Sequence, residues 1–196
     1  MPAFAIEHSP RRYRADFVVY TTATASLAIW LALRAPADRA LQLMGLALAG
    51  VVTWSAIEYG LHRFVLHGLQ PFARWHGEHH RRPVALIGTP TLVSAPLFGA
   101  LVALPAVVAL GPWRGAALTM GVLAGYLAYA TMHHALHHWR LAHPWWQARK
   151  FAHARHHHLL QPCCFGVTTG FWDWVLHTGG HKRSSRLNAT GAPRRS

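Results

Sequence analysis

Cysteine is nearly absent: the 196 residues contain Cys163 and Cys164 alone, and an adjacent pair closes only a strained ring, so no disulfide framework organises the fold. Acidic residues are also few, six against 19 lysines and arginines. A carboxylate-rich dinuclear site of the kind built in soluble helical bundles is therefore excluded. Charge of either sign makes up 13% of the chain against 52% hydrophobic residues, which is outside the range of ordinary soluble domains. The formal charge of +13 would suit a nucleic-acid partner, but long apolar runs argue for a bilayer instead, where basic residues gather beside anionic lipid. No nucleic-acid partner is expected.

Those runs are present in number. Four stretches, about 17–33, 40–57, 84–110 and 115–132, approach or exceed the ~20 residues that a helix needs to cross a ~30 Å hydrocarbon core. Pro90, Pro96 and Pro105 in the third predict kinks or an approach along the interface before the true crossing. With the N-terminus inside, 16 basic residues fall on the cytoplasmic side and three (Arg34, Arg39 and Arg114) outside, as the positive-inside rule requires. The expected fold is all-α and integral to the membrane: about four transmembrane helices with a cytoplasmic, helical, histidine-rich cap that binds metal. Residues 1–181 read as one membrane-embedded domain, and 182–196, rich in Arg and Ser, as a basic disordered tail. The small Ala- and Arg-rich chain suits a bacterial inner membrane.

Seventeen histidines are far more than packing needs. His62 and His67 follow the second stretch, His76, His79 and His80 precede the third, His133, His134, His137 and His138 end the fourth, and His153, His156, His157 and His158 come after it. All four groups fall on the cytoplasmic side. On a helix, positions i, i+3 and i+4 share an arc of about 100°, so the HxxHH runs from His76 and from His153 each present three imidazoles together. His133 with His137, or His134 with His138, forms an i,i+4 pair. His62 and His67 lie about 140° apart on an ideal helix, and converging needs a fraying end near Gly68. Imidazole suits zinc, copper, iron and nickel, and this many rings suits two ions. Glu58, Glu78 and Asp173 are the acids placed to accept a ligand's outer ring N–H and fix its tautomer. His8, His143 and His181 read as solvated, and Trp145, Trp146, Trp172 and Trp174 as an interfacial belt.

With these motifs in place, the chain resembles the fatty-acid hydroxylase and sterol desaturase superfamily of integral-membrane histidine-box di-iron enzymes, in particular the fatty-acid and sphingolipid 2-hydroxylases. Glu58-Tyr59-Gly60-Leu61-His62-Arg63-Phe64-Val65-Leu66-His67 is similar to its first box and His76-Gly77-Glu78-His79-His80 to its second. Tyr129 through His137 and His153-Ala154-Arg155-His156-His157 are similar to the third and fourth, and Phe165 through Asp173 to the segment after them. The resemblance implies metal ligation by His62, His67, His76, His79, His80, His133, His137, His153, His156 and His157. It favours His133 and His137 in the third box. The interval to the fourth box is one residue longer than the family pattern, which keeps His134 and His138 as alternatives or as neighbours of the ligands.

The implied activity is oxygen-dependent hydroxylation of a lipid acyl chain. It needs two irons, molecular oxygen as co-substrate and an external electron donor, and zinc can replace iron in a purified sample. A fused cytochrome b5 domain would bring His-Pro-Gly-Gly, but the one His-Pro here, His143-Pro144, continues with Trp145. Electrons are therefore expected from a separate protein such as cytochrome b5, a ferredoxin or a reductase. Two other readings share the histidines: a sterol or carotenoid hydroxylase or desaturase with the same centre, and a non-enzymatic membrane metal transporter or metal-binding protein.

Overall fold

The computed structural model describes residues 7–180; the basic segment expected at 182–196 lies outside them. Among the described residues all regular elements are helical, apart from an isolated bridge between Glu7 and Ile87. Four helices are long and apolar enough to cross a membrane: Pro10–Arg34, Ala37–Leu66, Thr91–Leu110 and Pro112–His138. Their outward side chains include Leu41, Leu92 and Val108, each more than three-quarters exposed. Apolar surface on this scale is stable only against lipid, and the chain is a multi-pass membrane protein.

Helix α1 (Pro10–Arg34) starts well before the apolar stretch at 17, because Ser9 Oγ caps the Arg12 N–H and Pro10 presets the first turn. The extension carries Asp16, whose carboxylate accepts from Tyr126 Oη and Thr91 Oγ1, both at 2.8 Å, and so ties α1 to the third and fourth spans. The second span is α2 (Ala40–Gly60), preceded by a 3₁₀ turn and continued by a π-helical turn over Leu61–Leu66. After the short helix α3 (Phe72–Arg81), residues 82–90 run without helix, and His8 N donates to Leu86 O at 2.8 Å. The third span therefore begins at Thr91 rather than 84, since Pro90 sits at its N-cap. It is broken into α4 (Thr91–Phe98), a π-turn over Gly99–Ala103, and α5 (Leu104–Leu110), with Pro96 inside α4 and Pro105 in the first turn of α5. The fourth span, α6 (Pro112–His138), outruns its apolar stretch by a turn and a half and carries the third histidine group.

Helices α2 and α6 form the centre. Gly50 and Gly121 let their backbones touch: a Cβ on Gly121 would overlap Ala47 O, and one on Gly50 would overlap Leu118 O. Close approach through small residues is the usual basis of helix packing in lipid, where no hydrophobic drive exists between helices. At the histidine end of α6, a cluster of Ala135, Leu136, Trp146 and Val167 anchors helix α7 (Pro144–His158) and the loop before the short helix α8 (Phe171–Val175). Trp146 is thus a core residue rather than part of an interfacial belt.

Candidate metal centre

The ends of α2 and α6, together with α3 and α7, bring ten imidazoles into two adjoining groups. His62, His67, His76, His80 and His156 form one, and His79, His133, His137, His153 and His157 the other; within each, one ring nitrogen per residue lies within 4.8 Å of the rest. His80 and His157 stack across the boundary with centroids 4.2 Å apart. Each HxxHH run is split between groups: His76 and His80 face one way and His79 the other, while His153 and His157 face the second group and His156 the first. His62 and His67 meet where the helix ends, just before Gly68, and a π-helical turn brings them together. The π-helical turn between them bonds i to i+5, which puts residues five apart on one face, and it ends at Leu66.

His134 and His138 are not brought in. They stack on each other, centroids 4.3 Å apart, on another face of α6, and His134 Nδ1 lies 3.1 Å from Tyr13 Oη on α1.

In the first group, Nε2 to Nε2 distances are 3.0 Å for His62–His76 and His76–His80, and 3.1 Å for His67–His156 and His80–His156. In the second, His137 and His153 approach to 2.8 Å. Two nitrogens at right angles, each ~2.1 Å from a common ion, are about 3 Å apart. His62 Nδ1 donates to Phe165 O (2.5 Å) and His156 Nδ1 to Cys163 O (2.8 Å), so each neutral ring turns a bare Nε2 lone pair toward its neighbours. The donor set fits a cation in each group. Burial first, and then the neighbouring imidazoles, push His79 down to about 3, His80 to about 4 and His156 to about 3, the last two against the opposing pull of a backbone carbonyl. Burial and the neighbouring imidazoles also lower His76, His153 and His157 well below the ordinary imidazole range. All six are neutral at pH 7, the form that binds metal.

The expected acids do not touch the ligand rings; backbone carbonyls take that place. Buried Glu58 accepts from Val167 N (2.6 Å), Thr168 N (2.9 Å) and Thr168 Oγ1, and buried Asp173 from Phe165 N (2.9 Å), Gly166 N (2.8 Å) and Thr178 Oγ1 (2.7 Å). Both carboxylates hold the loop whose carbonyls hold the rings. Glu78 pairs instead with Arg81 and Arg82 on the outer side of α3. Arg149, which sequence reasoning missed, donates to Gly166 O and Val167 O from within α7. Its only signal was a basic residue four positions before His153 on the same helix. The cysteines are buried, and burial pushes the Cys164 thiol up to about 12, while Cys163 offers its backbone carbonyl to His156 Nδ1.

Two openings flank these elements. A cavity of about 250 Å³ is lined by His67, His80 and His156 with Ala73, Gly77, Leu159 and Pro162. A larger one, about 410 Å³, lies between α1, α6 and Trp146 on the opposite face of α6 and reaches none of the ten histidines.

Residues 47–178, which hold both groups and the loop, match the fatty acid hydroxylase family profile. The chain belongs to the fatty acid hydroxylase family. Among its relatives, dihydroceramide fatty acyl 2-hydroxylase FAH2 of Arabidopsis thaliana is 34% identical over 90% of this chain and 82% of its own length. The ceramide very long chain fatty acid hydroxylase SCS7 of Saccharomyces cerevisiae is 36% identical over 66% of this chain and 36% of that protein. Human fatty acid 2-hydroxylase is 32% identical over 68% and 39%. The fold matches a solved structure of full-length scs7p, in which only the hydroxylase domain is visible, with a TM-score of 0.73 at 25% identity, covering 88% of this chain and 67% of that one. As a member of this family the chain is an oxidoreductase, and the family comprises metal-dependent hydroxylases of membrane lipids.

Proposed function

We propose that this protein is a di-iron monooxygenase that hydroxylates a lipid acyl chain at the carbon next to its carbonyl. The observation that carries the reading is the pair of five-imidazole groups at the membrane-end of α2 and α6. Acyl chains lie dissolved among the spans, so the carbons that reach this depth are those near the headgroup. The 2-hydroxylase activity in the names of FAH2 and the human relative supports acyl chains over sterol or carotenoid rings.

His62, His67, His76, His80 and His156 would hold one ion and His79, His133, His137, His153 and His157 the other. Bound iron supplies the two-electron oxygen chemistry that alkyl C–H bonds demand, which redox-inert zinc in the same site would not. One oxygen atom enters the C–H bond and the other leaves as water, which consumes two electrons and two protons. The chain's own residues fix ring tautomers through Cys163 O and Phe165 O, keep the imidazoles of α3 and α7 neutral by burial, and shield the centre within α2, α3, α6 and α7. The opening lined by His67, His80 and His156 reaches a ligand edge, and a separate electron-transfer protein, a cytochrome b5, ferredoxin or reductase, would approach there. We read residues 1–181 as one domain and 182–196 as a tail from composition, the histidine face as cytoplasmic from the charge asymmetry, and the membrane as a bacterial inner membrane from the small Ala- and Arg-rich chain.

Lipid mass spectrometry of cells with and without the gene tests the reading. A 2-hydroxyacyl species that vanishes with the gene is the expected result, and an unchanged hydroxyacyl profile contradicts it.

A further inference from the structure

The two groups of histidines are supported differently. In the first, two of the five rings are aimed by backbone carbonyls of one short segment, His156 by Cys163 O and His62 by Phe165 O. That segment is clamped on three sides: Asp173 takes the N–H groups of Phe165 and Gly166, Glu58 takes those of Val167 and Thr168, and Arg149 takes the carbonyls of Gly166 and Val167. In the second group no Nδ1 meets a protein acceptor among the described residues. His79 and His157 have both ring nitrogens buried and unpaired, and His153 its Nδ1.

We propose that Asp173 is a positioning residue for one metal site only, and that the two sites therefore differ in affinity, the His62, His67, His76, His80 and His156 set filling first. The inference rests on the two-metal reading above. An outer hydrogen bond fixes a ligand's tautomer and raises its basicity, and its loss costs about 10- to 100-fold in metal affinity. In the first site this support exists before the metal arrives. In the second the rings must be ordered by the ion itself, which lowers net affinity.

Full-length protein, purified in detergent, stripped of metal and kept anaerobic, is titrated with ferrous iron against a chelating competitor. Mössbauer spectra are recorded at one and two equivalents of iron-57. Wild type is expected to bind two irons about 10- to 100-fold apart in affinity, with a single quadrupole doublet at one equivalent and a second doublet appearing only beyond it. Asp173→Asn, which loses an acceptor for the loop's N–H groups, is expected to weaken the tighter iron about 10- to 100-fold, leave the weaker one within twofold, and show both doublets at one equivalent. A general loss of structure would weaken both irons together. Two irons of equal affinity in wild type, with both doublets at one equivalent, overturn the proposal whether or not the variant folds. Equal weakening of both sites, or of neither, in a folded variant overturns the role of Asp173. If folded wild type binds no iron, the two-metal reading itself falls.

Discussion

Each of the six clustered imidazoles on α3 and α7 is held neutral by burial, and this has a cost that acid exposes. For His79, His80 and His156 the folded-state values of about 3 to 4 lie below the ordinary 6.5, so the unfolded chain binds more protons between those limits. Their contribution to stability is fully present above pH 6.5 and is lost as the pH falls toward 3. The melting temperature of the metal-free protein is therefore expected to drop steadily from pH 7 to pH 5, and a flat or rising trend in scanning calorimetry would contradict it. Single substitutions divide the histidines further. His153→Ala removes a buried member of the second group and is expected to lose one iron per chain and more than about 100-fold in turnover, exceeding what loss of an outer partner costs. His138→Ala, on exposed helix surface away from both groups, is expected to stay within twofold in metal content and turnover. At this scale the sequence carried the residue types and helical spacing made triplets visible. It could not show that each HxxHH run is split between two ions' sites, since that depends on how α3 and α7 lie across the ends of the spans. Nor could it show that carbonyls rather than carboxylates would aim the rings, because any residue supplies a carbonyl.

Elements bear out the same division. Hydropathy located all four spans but misplaced their ends: caps such as Ser9 and Pro10, and the polar last turns of α2 and α6, extend three helices past their apolar stretches, while Pro90 starts the third seven residues late. The π-helical turn at Leu61–Leu66 was not legible at all: a five-residue histidine spacing looked like poor helical geometry, when it matches the i to i+5 bonding of that turn. The contact of α2 with α6 rests on the absence of side chains at Gly50 and Gly121. Gly121→Leu would press four carbons into the Ala47 backbone, at a cost of about 1–3 kcal/mol by analogy with overpacked cores. It is expected to lower the melting temperature in detergent and to reduce metal content, because α6 carries His133 and His137 and the π-helical turn that continues α2 carries His62. An unchanged melting curve would show that the helices can part without consequence.

For the molecule as a whole, the placement of the histidine face depends on charge. In the sequence, 16 of the 19 basic residues fall in segments that the proposed topology assigns to that side and three in the others. Reporter fusions after Pro36, Arg82 and Gly180 are expected to report outside, inside and inside in turn; a reversed pattern would move the centre to the other compartment and exclude a cytoplasmic electron donor. The central claim, that this histidine centre inserts oxygen into an acyl chain, is most directly tested by reconstituting the purified protein with iron, a reductant and isotopic oxygen in lipid, followed by mass spectrometry. Two irons per chain and a 2-hydroxyacyl product carrying one labelled oxygen are expected. Full iron loading with reductant consumed but no labelled lipid would contradict it.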